Sequence, residues 1–349
     1  MKKYFIKTFG CQANEADSER IAGVLEKQGY RPAKIVEEAN LVVINSCSVR
    51  ESAENRVFGL INKLTKLSSK GRSASDRKIW LTGCMVGSAK RIPRRYTINQ
   101  LRARLPSEIE LKLAEEIVSN SQSANRRITR NSKTVALVPI MEGCSHFCSY
   151  CVVPYARGKE KSRDFEEIIC EVKELVKRGG KQIMLLGQNV NSYQPSFAKL
   201  LTELNKISGL KKISFMTSNP WDLTVEIIQA MSLPKIDRYL HLPVQSGDDQ
   251  ILKKMNRPYT GQQYLALVKK IRKVIPNIKI GTDIIVGFPG ETKEAFENTV
   301  KMVKRAGFVK AYISRYSPRP GTAAFKLKDD VAPTEKKRRW RILEELINK

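Results

Sequence analysis

Three short apolar runs punctuate the first part of the chain: "KYFIKTF" (3–9), "LVVINS" (41–46) and "KIWLTG" (78–83). Each is rich in β-branched or aromatic residues and bounded by turn formers, which predicts strands. Between the first two, "NEADSERIAGVLEKQGY" (14–30) sets apolar residues at helical spacing behind a capping residue and early acids, and closes on Gly29. "RESAENRVFGLINKLTKL" (50–67) follows the second strand in the same manner. A βαβαβ order of this kind predicts a parallel sheet with right-handed crossovers.

The alternation stops over residues 119–134, "SNSQSANRRITRNSKT", a polar stretch with basic residues and no acid that reads as a linker. It resumes with strands at "VALVPIM", "QIMLLG", "KISFMT", "YLHLPV", "KIGTDIIVG" and "AYISRYS". Helices such as "DFEEIICEVKELVKRGG", "LTVEIIQAMS" and "TKEAFENTVKMVKRAG" lie between them. The expected fold is α/β: an N-terminal, three-layer-like parallel α/β domain over 1–118, the linker, and a partial (β/α)6 TIM-type barrel over 135–325. A basic helix or tail, 326–349, closes the chain. In both folds ligands meet the chain at the carboxyl ends of the strands.

Cysteine is the residue type that gives this pattern chemistry. Cys11 follows "KTFG", Cys47 follows "VINS" and Cys84 follows "WLTG", so each stands just past a predicted strand. Their convergence at one sheet edge is the expectation, with three unrelated buried thiols as the alternative. "GCSHFCSYC" (143–151) then places Cys144, Cys148 and Cys151 in the first loop of the barrel. A structural zinc site wants a fourth ligand, for which His146 is the nearby candidate, though it would be cramped between the cysteines. An iron–sulfur cluster accepts three cysteines if something else occupies the fourth iron, and an open iron is reactive. Seven cysteines against two histidines, His146 and His241, favour metal or redox chemistry over His-centred catalysis.

Charge adds a partner. Lys and Arg number 63 against 35 Asp and Glu, a formal charge of +28, which predicts a polyanion such as nucleic acid. No segment approaches the roughly 20 apolar residues of a membrane span, and the first residues lack a signal-peptide core, so a cytoplasmic protein is expected.

CxxxCxxC, with Tyr150 before the last cysteine and opening a six-unit β/α domain, resembles the radical S-adenosylmethionine enzymes. In that superfamily the cofactor's methionyl group chelates the fourth iron. "TFGCQANEADSERI", "NSCSVRESAENRVFG" and "LTGCM" look like the amino-terminal domain of the methylthiotransferases within it. "LLGQNVNSY", "YLHLPVQSGDDQILKKMNRPYT", "GTDIIVGFPGET" and "YSPRPGTAA" look most like the branch acting on N6-isopentenylated adenosine in tRNA. The resemblance runs from residue 3 to about 325.

That resemblance implies two [4Fe-4S] clusters, an auxiliary one on Cys11, Cys47 and Cys84 and a second, with exchangeable S-adenosylmethionine, on Cys144, Cys148 and Cys151. One S-adenosylmethionine would donate a methyl group to sulfur, and a second would give the radical that takes hydrogen from C2 of the adenine. The partners implied are the tRNA anticodon stem-loop and a flavodoxin- or ferredoxin-type electron donor. Rival substrates are threonylcarbamoyl-adenosine in tRNA and a ribosomal-protein aspartate; a non-catalytic tRNA-binding protein is the rival from another class.

Tyr150 would pack on the cofactor's adenine. Gln188, Asn189, Ser218, Gln245 and Ser246 end strands and are placed to touch cofactor or substrate, and Asp283, Gly287 and Glu291 lie in "DIIVGFPGE", which resembles the glycine-bearing strand and loop that borders the cofactor in this superfamily. Arg157 would hold a cofactor carboxylate or a tRNA phosphate. The family's usual C-terminal RNA-binding β-barrel is not recognisable, and "PTEKKRRWRILEELINK" reads as a short basic helix. Arg94, Arg95, Arg126, Arg127, Lys337, Arg338 and Arg339 are therefore expected to grip RNA, with Trp340 packing on the barrel or stacking on a base. His146 reads as loop filler and His241 as a pocket or core histidine. Cys170 lies roughly 140° around its helix from apolar Phe165, at about 100° per residue, and reads as a dispensable outward thiol.

Overall fold

A computed structural model describes residues 1–49, 51–68, 77–91, 98–107, 109–119, 135–216 and 218–349. The chain divides into two compact units: residues 1–133 with 143–145 and 152–159, and residues 134–142 with 146–151 and 160–349.

In the first unit the chain order is β1 (Lys3–Thr8), α1 (Gln12–Lys27), β2 (Arg31–Pro32), β3 (Leu41–Ser46), α2 (Glu51–Ser68), β4 (Lys78–Gly83), α3 (Cys84–Arg91), α4 (Ile98–Ala103), β5 (Ile109–Leu111) and α5 (Ala114–Ser119). All five strands pair in parallel, in the order β2-β1-β3-β4-β5. Every residue of β3 is buried, as a central parallel strand covered on both faces requires. Val42 and Ile44 pack with Val57, Ile61 and Leu64 of α2, while Leu41 and Val43 pack with Ile21, Ala22 and Leu25 of α1. The three predicted strands are the inner three. The pattern missed both edges, because β2 is two residues ending in proline and β5 is three residues without a run.

The second unit contains β6 (Ala136–Pro139), β7 (Met141–Glu142), β8 (Lys161–Ser162), α7 (Phe165–Lys177), β9 (Gln182–Leu186), α8 (Phe197–Lys206), β10 (Lys212–Phe215), α9 (Val225–Ala230), β11 (Tyr239–His241), α10 (Asp249–Lys254), α11 (Gly261–Val274), β12 (Lys279–Val286), α12 (Lys293–Ala306), β13 (Lys310–Arg315) and α13 (Pro333–Ile347); the short helix Val153–Arg157, α6 here, belongs to the first unit. Strands β6, β9 and β10 form one parallel sheet and β11, β12 and β13 another. A parallel bridge from Ile213 in β10 to Ile236 joins them, so six strands follow one another in chain order as in a partial (β/α)6 barrel. One apolar core lies between strands and helices, from Val138 and Leu185 to Ile280, Ile284 and Leu343. Helices α7 and α12 start on side-chain caps, Asp164 accepting from Glu167 N at 2.9 Å and Thr292 from Ala295 N at 3.1 Å.

The stretch read as a basic helix or tail forms a helix, α13, seated on the barrel. Lys336 and Arg339 are 5% exposed, and the Trp340 indole donates to Ile313 O at 3.0 Å. Trp340 packs on the barrel.

Candidate cluster-binding sites

Strand register positions the first trio. Ser46 pairs with Gly83 across β3 and β4, so Cys47 and Cys84 leave the sheet in step on neighbouring strands; Cys11 leaves the other neighbour, β1, and caps α1. Cys47 and Cys84 are buried and Cys11 is exposed. Beneath them runs a buried amide layer. Asn14 Nδ2 donates to Asn45 Oδ1 (3.0 Å) and Ser46 O (3.2 Å), and Asn45 Nδ2 donates to Asn14 O (2.8 Å) and Ser18 Oγ (3.0 Å). Val49 N–H donates to Cys47 Sγ at 3.4 Å. Gly83 holds φ +85°, and a Cβ there would run into Ser46 O and Asn45 Oδ1.

Arg157, expected to reach cofactor or phosphate, is committed here instead. Its guanidinium pairs with Asp17 at 3.0 Å, the two side chains being 13% and 12% exposed, and it also hydrogen-bonds to Cys84. Burial opposes its charge, but Cys84, Asp17 and Cys11 hold its pKa well above the usual value.

Local backbone positions the second trio. Gly143 at φ +78° leaves no room for a Cβ against Lys159 O, and Cys144 N–H donates to Gly158 O at 3.0 Å. Cys148 N–H donates to His146 O (2.8 Å) and Cys151 N–H to Cys148 O (2.9 Å). The end of α10 grips the loop: Ser149 N and Oγ donate to Met255 O (3.0 Å) and Lys254 O (2.8 Å), and Asn256 Nδ2 donates to Phe147 O (2.9 Å). Tyr150 packs on Ile251, Met255, Phe288 and Tyr316.

Two features went unread in the sequence. Arg257, within the quoted "KKMNRPYT", places NH1 3.5 Å from Cys148 Sγ. Asp222 accepts from Asn189 Nδ2 (2.9 Å) and Asn219 Nδ2 (2.7 Å) and lies 3.1 Å from His146 Nε2. The hydrogen bond to Asp222 outweighs burial and raises the His146 pKa, and His146 stands edge-on to Trp221 at 4.9 Å. It is part of a polar network, which corrects its reading as filler. The only sequence signal was polar residues clustered after successive barrel strands.

The proposed cofactor residues separate into three groups. Gln188 Oε1, Asn189 Oδ1 and Ser218 Oγ are buried at strand ends without a protein hydrogen-bond partner. Such atoms cost free energy unless a ligand or water satisfies them, and their placement suits a polar cofactor. Ser246, by contrast, is fully buried between Thr299 Oγ1 (3.3 Å) and the Asp248 amide (3.2 Å). Glu291 receives Arg339 (2.7 Å) and the Gly287 amide (2.6 Å), and a Cβ at Gly287 would meet Lys336. Burial pushes the Glu291 carboxyl up even against Arg339. Ser246, Gly287 and Glu291 thus serve the packing of the barrel and α13. Gln245, at φ +67°, bridges backbone-to-backbone onto β12, and Asp283 lies 3.0 Å from His241 Nε2.

Of the RNA-binding candidates, Arg339 is withdrawn, since its guanidinium is bound between Glu291 and Glu335. Arg157 is withdrawn for the reason above. Lys337 and Arg338 are exposed, the latter paired with Glu335 at 2.6 Å. Arg94, Arg95, Arg126 and Arg127 lie outside the described residues. Among the described residues, no three or more His, Cys, Asp or Glu groups gather as one metal ion would need. The donor chemistry fits clusters: two trios of thiols, each with hydrogen-bond donors and a buried arginine at sulfur.

Residues 138–303 match the family model described as the radical SAM superfamily, and residues 3–98 match the uncharacterized protein family UPF0004. A radical S-adenosylmethionine methyltransferase, TsrM, from Kitasatospora setae shares the fold with a TM-score of 0.62 at 13% identity, over 93% of this chain and 75% of that one. The protein is therefore a radical S-adenosylmethionine enzyme, a class that implies a [4Fe-4S] cluster and the cofactor. Two relatives carry the name tRNA-2-methylthio-N(6)-dimethylallyladenosine synthase. That of Clostridium botulinum is 42% identical and that of Clostridium novyi 44%, each over 99% of this chain and 81% of its own length. The chain belongs to the family of these synthases, the radical S-adenosylmethionine methylthiotransferases. Among the described residues no helix is long and apolar enough to cross a membrane.

Proposed function

We propose that the protein methylthiolates C2 of an N6-isopentenylated adenosine next to the tRNA anticodon, using two S-adenosylmethionine molecules and two [4Fe-4S] clusters in the cytoplasm. The observation that carries this reading is the first trio of cysteines, Cys11, Cys47 and Cys84, set at the carboxyl edge of its own parallel sheet in addition to the CxxxCxxC trio. A radical enzyme that only cleaved its cofactor would need one trio. When bound, the clusters supply an electron to the cofactor's sulfonium and sulfur for transfer.

The chain's own residues do the rest. Cys144, Cys148 and Cys151 hold one cluster and leave one iron without a protein sulfur. Gln188, Asn189 and Ser218 offer their unpartnered oxygens to the cofactor's polar groups, and Tyr150 anchors the cysteine loop on the apolar cluster of Ile251, Met255 and Phe288. Cys11, Cys47 and Cys84 hold the auxiliary cluster. The exposed Lys337 and Arg338, with the basic stretches around Arg94 and Arg126, contact phosphate, and a low-potential protein of the flavodoxin or ferredoxin type supplies electrons. Each phosphate neutralised would add about 0.7–0.9 to the log–log salt slope of tRNA binding.

Nucleosides from cells with and without the gene, compared by mass spectrometry, test substrate and chemistry together. The methylthiolated isopentenyladenosine should vanish and its unmethylthiolated precursor accumulate. Loss of methylthiolated threonylcarbamoyl-adenosine instead would move the assignment to that substrate.

A further inference from the structure

Four consecutive residues at the end of α10 address three consecutive residues of the cysteine loop. Lys254 and Met255 accept from Ser149, Asn256 donates to Phe147 O, and Arg257 reaches Cys148 Sγ at 3.5 Å. The turn is specialised for this delivery. Asn256 sits at φ +56°, a left-handed conformation few residues tolerate, and Pro258 restricts the backbone of Arg257 from the other side.

Arg257 itself is 8% exposed. Nε donates to Tyr259 Oη (3.1 Å) and NH2 to Pro243 O (2.8 Å), which leaves NH1 aimed at the sulfur. The guanidinium lies 4.5 Å from the Trp221 ring and 5.3 Å from the Tyr259 ring, faces that favour a cation. Arginine suits the place, because its planar fork serves three acceptors at once and it keeps its charge when buried. No carboxylate bonds to it among the described residues. Its charge is directed at the thiol.

The geometry points to Arg257 as a positioning residue that sets the reduction potential of the cluster held by Cys148, a role resting on the cluster assignment above. Reduction brings one electron from an external low-potential donor and adds one negative charge to cluster and thiolates, with no bond made or broken. A fixed cation hydrogen-bonded to a ligating sulfur, in a buried site, stabilises that more negative state and raises the potential. Electron entry is eased and the Cys148 side chain is held in one orientation.

The test uses the full chain reconstituted with iron and sulfide under anaerobic conditions, as wild type, Arg257→Lys, Arg257→Gln and Cys148→Ala. Iron is counted, and the electron paramagnetic resonance signal that changes on adding S-adenosylmethionine is titrated with dithionite. Arg257→Gln should keep its iron while its reduced-to-oxidised ratio at a fixed potential falls about tenfold, roughly 59 mV for one electron. Arg257→Lys, which keeps charge but loses the fork, should fall between. Equal potentials in wild type and Arg257→Gln would overturn the proposal, as would loss of the cluster from both Arg257 variants. Cys148→Ala retaining all of its iron would instead bring down the cluster assignment itself.

Discussion

The two cysteine trios are placed in the fold by opposite routes. Cys11, Cys47 and Cys84 follow three neighbouring strands and are brought to one edge of a parallel sheet by its register, Ser46 against Gly83 and Thr8 against Asn45. Cys144, Cys148 and Cys151 share one loop whose shape is held by a glycine, short backbone hydrogen bonds and the end of α10. The first site is a property of a whole sheet, since a one-residue slip would turn its ligands over. The second is a property of one loop. Damage should therefore propagate differently from each.

The glycines that precede Cys84 and Cys144 offer the harshest break. Gly83→Ala would drive a methyl group into Ser46 O, and Gly143→Ala into Lys159 O, each at a positive φ. Strain and overpacking together set a cost of roughly 3 kcal/mol or more at either position. Gly83→Ala should lower the urea midpoint of the first unit, because β3 and β4 must part, and take the iron of its trio with it. Gly143→Ala, whose clash with Lys159 O also lies in the first unit, should lower that midpoint too but take the iron of the second trio in place of the first. An unchanged midpoint in Gly83→Ala would end the claim that register builds the first site.

The pair of Asp17 and Arg157 gives the next effect. Asp17→Asn leaves the buried guanidinium beside Cys84 and Cys11 without its carboxylate, and Arg157→Met leaves the carboxylate alone. Removing one member of a buried pair costs about 3–5 kcal/mol. Chemical unfolding should show each single variant losing stability on that scale, with the double variant losing less than their sum. Additive losses would mean that the two side chains stabilise the unit independently.

What the sequence made legible follows the same division. The inner strands and all six cysteine placements were readable, because continuous β-branched runs and CxxxCxxC spacing are local signals. The partners of those cysteines were not. Arg257 lies 109 positions from Cys148, and Asp222 lies 76 from His146. Arg339 shows why charge runs mislead. "KKRRWR" is a local run of charge, yet one of the two carboxylates that bind Arg339, Glu291, lies 48 residues earlier, on a loop that only the folded barrel brings to α13. Edge strands β2 and β5 were too short to carry a period.

Cys170 tests whether two trios account for all the sulfur chemistry. It is exposed on α7, while Ile168, Ile169 and Val172 of the same helix are buried, so periodicity alone assigned it to the solvent side. A serine there loses no packing and strands no buried donor. Cys170→Ser should keep unfolding free energy within about 0.5 kcal/mol of wild type and leave iron per chain unchanged. Iron lost from this variant would give one cluster a seventh thiol, and the contrast between a sheet-built and a loop-built trio would no longer describe the protein's sulfur ligands.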